Sequence, residues 1–465
     1  MDGLECKEVL LSEVRYNKDS RIDSTFYTMQ LSRNRLLRYE PIEKYLSYAQ
    51  YGVSKDMNTE SKGYPIYRMN ELHCGLCDLT TDKYVELTNE DFDKTCLHDG
   101  DVLFNRTNSY DKVGRTGIYY SHNTPQTFAS YLVRFIPDNI NLLSEYLTAF
   151  LNTRYGIQEI RRRARQSINQ TNVNPEEVKR ILIPILKIEL QVYIKSLYRF
   201  ADALRVKATN RYKEAETELA KWLNIRIEAQ TAPVVSEKAI SNSFNVTGRL
   251  DAEYYQPKYD LIVSSLNTQE TLESICNLYD ENYLPDEEKY YRYIELANVG
   301  GFGEITETDS IVGEELPTRA RRIVKTGQVI VSSIEGSLQS CALITDELDG
   351  ALCSTGFYVV DSNKLNSETL LVLFKSEAIQ ALLKQRCSGT ILTSINKDEF
   401  LSLPLPDIDE EIQTRISERV KESFALRRKS KQLLEDAKRA VEIAIEQDEE
   451  SAIEWLKERK KEVGA

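Results

Sequence analysis

Asn105-Arg106-Thr107-Asn108-Ser109 is an unbroken run of hydrogen-bonding side chains. An arginine fork matches the two acceptors on a guanine edge, an asparagine amide matches adenine, and the hydroxyls of Thr107 and Ser109 serve phosphates or bases. The bland alternative is a polar loop that caps the apolar run before it, Gly100-Asp101-Val102-Leu103-Phe104. A second such run, Ser332-Ser333-Ile334-Glu335-Gly336-Ser337, follows Gly327-Gln328-Val329-Ile330-Val331 and has no cation. Ser332, Ser333 and Ser337 can still bond phosphates or bases, and Glu335 can accept from a cytosine amino group. Arg154, Arg161, Arg162, Arg163 and Arg165 form the densest basic cluster. Several arginines on one helix face make a phosphate clamp, whereas pairing with Glu159 and nearby acids would make the same face merely solvated.

Metal and catalytic chemistry are thinly represented. Cys74 and Cys77 have the two-residue separation of a zinc knuckle, and Cys96 and His98 would share a face of a strand. The second half of the chain has no counterpart, so the expectation is reduced thiols and no metal site. Gly300-Gly301-Phe302-Gly303 lacks the strand-to-helix setting of a nucleotide loop, and there is no P-loop. No Asn-Pro-Pro-aromatic run of the kind used by amino-methylating enzymes occurs, and no catalytic residue is assigned.

Two long helices must hold these groups. From Lys187 to about Ile227 the apolar residues Leu190, Ile194, Leu197, Tyr198, Ala201, Leu204, Ala208, Ala215, Leu219 and Trp222 keep close to the three-and-four spacing of a coiled-coil seam. From Asp409 to Gln447 the pattern returns with Ile412, Ile416, Val420, Leu426, Leu433, Ala437, Val441 and Ala444. Neither stretch contains Gly or Pro. Pro184 and Gln191 introduce the first helix, and Pro406 and Gln413 introduce the second, each pair 222 residues apart (406 − 184, 413 − 191). Arg21-Ile22-Asp23 and Arg249-Leu250-Asp251 open the two halves, and Asn174-Pro175 and Asn396-Lys397 mark helix starts late in each. A single helix is expected over Leu142 to Arg165 and again over Ser367 to Arg386. The chain is an internal duplication with the plan globular, strut, globular, strut.

The chain has 465 residues, 41% hydrophobic and 29% charged, which is globular composition with room for more than one core. No apolar run spans a membrane and no signal peptide opens the chain, so a cytoplasmic location without membrane contact is expected. The formal net charge of −13 argues against a free-standing nucleic-acid binder. Residues 240–396, with 12 basic and 23 acidic side chains, carry most of it.

The Arg-Leu-Asp-Ala-Glu-Tyr-Tyr opening at 249–255, the two proline-then-glutamine approaches and the 105–109 segment, in duplicated order, resemble the specificity subunit of type I restriction-modification enzymes. The resemblance covers about Val9 to Gln447. It implies an α+β chain of two similar α/β target-recognition domains, separated by two long helices packed as an antiparallel coiled coil. The domains are 1–175 (recognition domain 1), 176–232 (central helical region), 233–396 (linker and recognition domain 2), 397–447 (C-terminal helical region) and 448–465 (tail). The chain itself would be non-catalytic. Its implied partners are double-stranded DNA, two methyltransferase subunits docking at Pro184, Gln191, Pro406 and Gln413, and ATP-dependent restriction or translocase subunits. S-adenosylmethionine, ATP and Mg2+ would belong to those partners. The rival readings are a coiled-coil scaffold or DNA-mimicking inhibitor, which the acidic second half favours, and a stand-alone metal-dependent nuclease.

Overall fold

The computed structural model describes residues 6–16, 21–29, 34–122, 124–168, 170–224, 237–244, 248–389 and 393–463. The expected break at Thr231-Ala232-Pro233 and the expected helix end at Ile227 lie outside them. The chain forms two compact units, Met1–Val206 with Arg427–Ala465, and Lys207–Leu426. The first long helix, Ile188–Leu223, and the second, Glu410–Glu446, each contribute one half to each unit.

In the first unit the strand Val102–Asn105 is buried along its whole length, as its unbroken apolar run requires. It lies inside a six-stranded sheet in the order Leu46–Tyr51, Leu132–Pro137, Val102–Asn105, Thr116–Ile118, Leu76–Cys77, Leu72–His73. The Leu76/Ile118 pairing is parallel and the rest are antiparallel. Gly100, with φ +92°, makes the turn into the buried strand.

The second unit repeats this core with four strands in the matching order Cys276–Tyr279, Phe357–Ser362, Val329–Ser332, Cys341–Leu343. Gly327, with φ +85°, stands where Gly100 does. Helices Ser144–Asn152 and Arg154–Arg163 in one unit answer to Ser367–Lys375 and Glu377–Arg386 in the other.

These are helix pairs, not the single helices that periodicity predicted. Thr153 and Ser376, both in extended backbone, end one helix and cap the next, their hydroxyls accepting from Gly156 N and Ile379 N. A capping hydroxyl competes with the helix ladder for backbone N–H groups, and here it wins. The expected starts at Asn174 and Asn396 are present, each side chain accepting a backbone N–H from the first turn.

The long-helix halves pack within each unit. In the first, Leu190, Ile194, Tyr198 and Ala201 are buried, and Ser430 Oγ donates to the Ala201 carbonyl at 2.7 Å. In the second, Ala208, Tyr212, Ala215 and Leu219 are buried, and Ser423 Oγ donates to the Ala208 carbonyl at 2.7 Å. Lys207 and Arg211 pair with Glu422, and Glu218 with Arg415, so one number rises as the other falls and the helices run antiparallel. Leu197, Trp222, Ile412 and Leu426, expected in the seam, are only half-buried. Tyr212, Ser423 and Ser430 are buried there instead.

Candidate nucleic-acid interface

Asn105 ends the buried strand with its carboxamide turned inward. Its Oδ1 accepts from Thr107 N at 3.2 Å, and its Nδ2 donates to the Lys112 carbonyl at 3.5 Å. Ser332 does the corresponding job in the second unit, its Oγ accepting from Ile334 N at 3.1 Å. Both residues are fully buried and spend their polar atoms on the turn that follows the strand.

Thr107–Asn108 is not a free loop. It pairs with Thr171–Asn172 in a three-stranded sheet completed by Arg165–Gln166, and the Thr107 hydroxyl donates to Asn172 Oδ1 at 2.6 Å. Asn108 Oδ1 accepts from Ser109 N, and Ser109 itself is exposed. Arg106, between these inward-facing groups, projects differently. Its guanidinium carbon sits 5.3 Å from the Tyr51 ring centre, with no carboxylate in ion-pair range among the described residues.

The basic cluster divides. Arg163 is buried against Glu159, an ion pair backed by a 3.0 Å bond to the Glu159 carbonyl. Arg162 lies over the Phe26 ring at 4.3 Å and donates to the Phe26 carbonyl. Arg154 is tied to Glu446. The expected common phosphate-binding face is therefore not formed, because three of the five arginines are turned to protein acceptors. Arg161 is half-exposed and only loosely paired with Asp111 at 3.8 Å, and Arg165 is exposed.

In the second unit Ser333 Oγ donates to the Gly356 carbonyl, and Ser337 shares a hydrogen bond with Ser332. Glu335 is half-buried. Hydroxyls satisfied locally present less to a ligand than the side of the first unit that carries Arg106.

Pro184, Gln191, Pro406 and Gln413 are all buried, which corrects the expectation that they form an outer docking surface. Gln191 Oε1 accepts from Leu143 N, and its Nε2 donates to the carbonyls of Asn141 and Leu186, all at 2.9 Å. Gln413 makes the same three bonds, from Asn366 N and to the carbonyls of Lys364 and Ile408, at 2.8–2.9 Å.

A further pair of structural devices was not read from the sequence. Arg21 grips Asp23 with two bonds and donates to the Arg163 carbonyl at 2.8 Å, while Arg249 grips Asp251 and donates to the Cys387 carbonyl at 3.0 Å. Burial works against charge on Asp23, yet the bonds and the charge of Arg21 hold its carboxyl below the usual range. The signal was the repeated Arg-x-Asp, which marked the duplication without revealing what the arginine reaches.

The cysteines are free thiols. Cys74 is exposed and Cys77 buried, and among the described residues no group of three or more His, Cys, Asp or Glu side chains could hold a metal ion. Among those residues, too, no helix is long and apolar enough to cross a membrane.

Fold and site together define an internally duplicated α+β protein in which two units of one plan share two long helices. No family model matches the chain. It is, however, similar along most of its length to specificity subunits of type I restriction enzymes. It is 22% identical over 407 residues to the Methanocaldococcus jannaschii protein assigned as the MjaX specificity subunit, covering 85% of this chain and 89% of that one. The EcoKI specificity subunit of Escherichia coli is 22% identical over 239 residues, 50% of this chain and 47% of that protein. Among solved structures, the S subunit from M. genitalium covers 92% of this chain and 98% of its own at 12% identity, with a TM-score of 0.36. The HsdS subunit from Thermoanaerobacter tengcongensis covers 90% and 98% at 12% identity, with a TM-score of 0.31.

Proposed function

We propose that the chain is the non-catalytic DNA-specificity subunit of a type I restriction-modification complex. The observation that carries this reading is the duplication in three dimensions: the same strand order, the same helix pair and the same glutamine clamp occur once in each unit. A protein built twice on one plan is suited to a target read in two halves and to two copies of one partner. Each unit reads one half of a bipartite sequence in double-stranded DNA. The two long helices set the spacer and dock two methyltransferase subunits. S-adenosylmethionine serves those subunits, and ATP and Mg2+ serve the restriction or translocase subunits, all in the cytoplasm.

In the first unit Arg106 and the loosely paired Arg161 are the cations proposed to meet DNA, with Arg165 exposed nearby. The second unit contributes mainly hydroxyls, from Ser333 and Ser337, together with Glu335. The acidity of residues 240–396 favours a second reading, an inhibitor that binds the methyltransferase and competes with DNA. Co-expression with methyltransferase partners and sequencing of modified bases separates the two. Methylation of one bipartite motif, absent without this chain, is the expected result. Suppressed methylation would support the inhibitor, and methylation without any motif would overturn the recognition role.

A further inference from the structure

We infer that Tyr51 is a positioning residue that aims Arg106 at a single guanine in the half-site read by the first unit. The inference rests on the recognition role proposed above and extends it to a residue on a different strand. Tyr51 ends the strand Leu46–Tyr51, and Arg106 lies just beyond the end of Val102–Asn105, with the strand Leu132–Pro137 between them in the sheet. Arg106 N donates to the Tyr131 carbonyl at 3.1 Å, which fixes its backbone at the start of that middle strand. Its side chain lies with the guanidinium carbon 5.3 Å from the Tyr51 ring centre, within cation–π range.

Three features suit this arginine to a ligand from outside the chain. No carboxylate neutralises it among the described residues, whereas Arg154 and Arg163 each have a close acidic partner. Its Nε is shielded from solvent and has no hydrogen-bond partner, so the polar capacity left to offer lies at the outer end of the fork. Tyr51 and Tyr131, on whose carbonyl the Arg106 backbone is held, are 49% and 40% accessible.

A fork held against a ring gives up few rotamers when it binds, and two parallel N–H groups match guanine O6 and N7. A phosphate would accept the same fork but would not need it aimed. The second unit lacks the arrangement, because Ser333 takes the place of Arg106 (333 − 106 = 227, the offset of the preceding strands) and donates to the Gly356 carbonyl. The device therefore predicts an asymmetry, with one fixed guanine in one half-site only.

The test uses the full chain assembled with its methyltransferase partners, with the modified motif and its tolerance for each base as the readout. Arg106→Ala and Tyr51→Leu should relax the same single position, from guanine to any base. The Tyr51→Leu loss of discrimination should be roughly 2- to 30-fold, as expected from removing a cation–π contact. Tyr51→Phe, which keeps the ring face, should restore most of the preference lost in the leucine variant. Three results would overturn the inference: an unchanged motif in Tyr51→Leu while Arg106→Ala relaxes it, an equal loss at all sequences in both variants, which marks a phosphate contact, or failure of phenylalanine to restore the preference. A wild-type complex that modifies no defined motif would instead overturn the recognition role itself, and that result appears before any variant is made.

Discussion

The side-chain oxygen of Gln191 accepts the backbone N–H of Leu143 at 2.9 Å, joining the first turn of a long helix to the N-cap of the helix Ser144–Asn152. Leu143 has no side-chain acceptor of its own, so Gln191 supplies a capping oxygen from another element. Its amide nitrogen ties down two further carbonyls. Gln191→Ala strands one donor and two acceptors in a buried site and should destabilise the first unit by about 2–4 kcal/mol. Gln413→Ala should do the same to the second. Urea unfolding of each variant checks this, and a loss below about 0.5 kcal/mol would mean that water replaces the amide.

Arg163 and Arg161 should behave oppositely. Arg163→Ala breaks the buried ion pair with Glu159, a change that typically costs about 3–5 kcal/mol, and it should leave the salt dependence of DNA binding by the assembled complex unchanged. Arg161→Ala should cost little stability and lower the slope of log K against log salt by about one. Salt titrations of the two complexes distinguish them. A reduced slope for Arg163→Ala would mean that the ion pair opens on DNA.

The duplication and the long helices were legible in sequence because each is a pattern along the chain: an offset near 222, or an apolar period near 3.5. The buried strands followed from their apolar runs, and Gly100 and Gly327 marked their turns. What stayed hidden depends on partners far away in sequence. Glu159 was in view as a partner for the basic cluster, but that Arg162 turns to the Phe26 carbonyl, 136 residues earlier, shows only in the fold. Ser423 and Ser430 fall outside the apolar pattern, yet each donates to a carbonyl on the facing helix. Gln191 and Gln413 were noticed for their repetition, but a repeated residue marks a shared role without saying whether the role faces inward.

Acid should weaken the first unit through Asp202. This carboxylate is buried on the first long helix, 3.1 Å from His122 Nε2 and 2.8 Å from Arg205 Nη2. Burial opposes its charge, but the bonds and charges of His122 and Arg205 outweigh that and hold its pKa below the ordinary value. A depressed folded-state pKa contributes stability that is fully present above the unfolded value, near ~3.9, and is lost as pH falls through the folded one. Asp202→Asn should therefore lower the urea midpoint at pH 7, and the gap from wild type should close as pH drops below about 4. A gap that stays constant down to pH 2.5 would show that Asp202 contributes by packing rather than by charge.

The seam of the long helices allows the spacer idea to be tested. Ala201, Ala208 and Ala215 recur every seven residues on one helix, and Ser423, Ser430, Ala437 and Ala444 on the other, all buried. Ser430→Leu should overpack this contact and cost about 1–3 kcal/mol, whereas Ser430→Ala loses only one hydrogen bond, about 1 kcal/mol. Inserting seven residues at the 206/207 boundary and seven at 426/427, each copying the adjacent heptad, keeps small residues facing small residues. It lengthens both helices by ~10 Å, about three base-pair steps of ~3.4 Å. Four inserted residues add only ~6 Å and turn the later half by ~40° relative to the earlier, so small residues would meet large ones and stability should fall. Modified-base sequencing of the seven-residue variant, assembled with its methyltransferase partners, should return the same two half-sites with the gap between them about three base pairs longer. The same half-sites at the original gap would mean that the helices do not measure the spacer and that the partner subunits fix it.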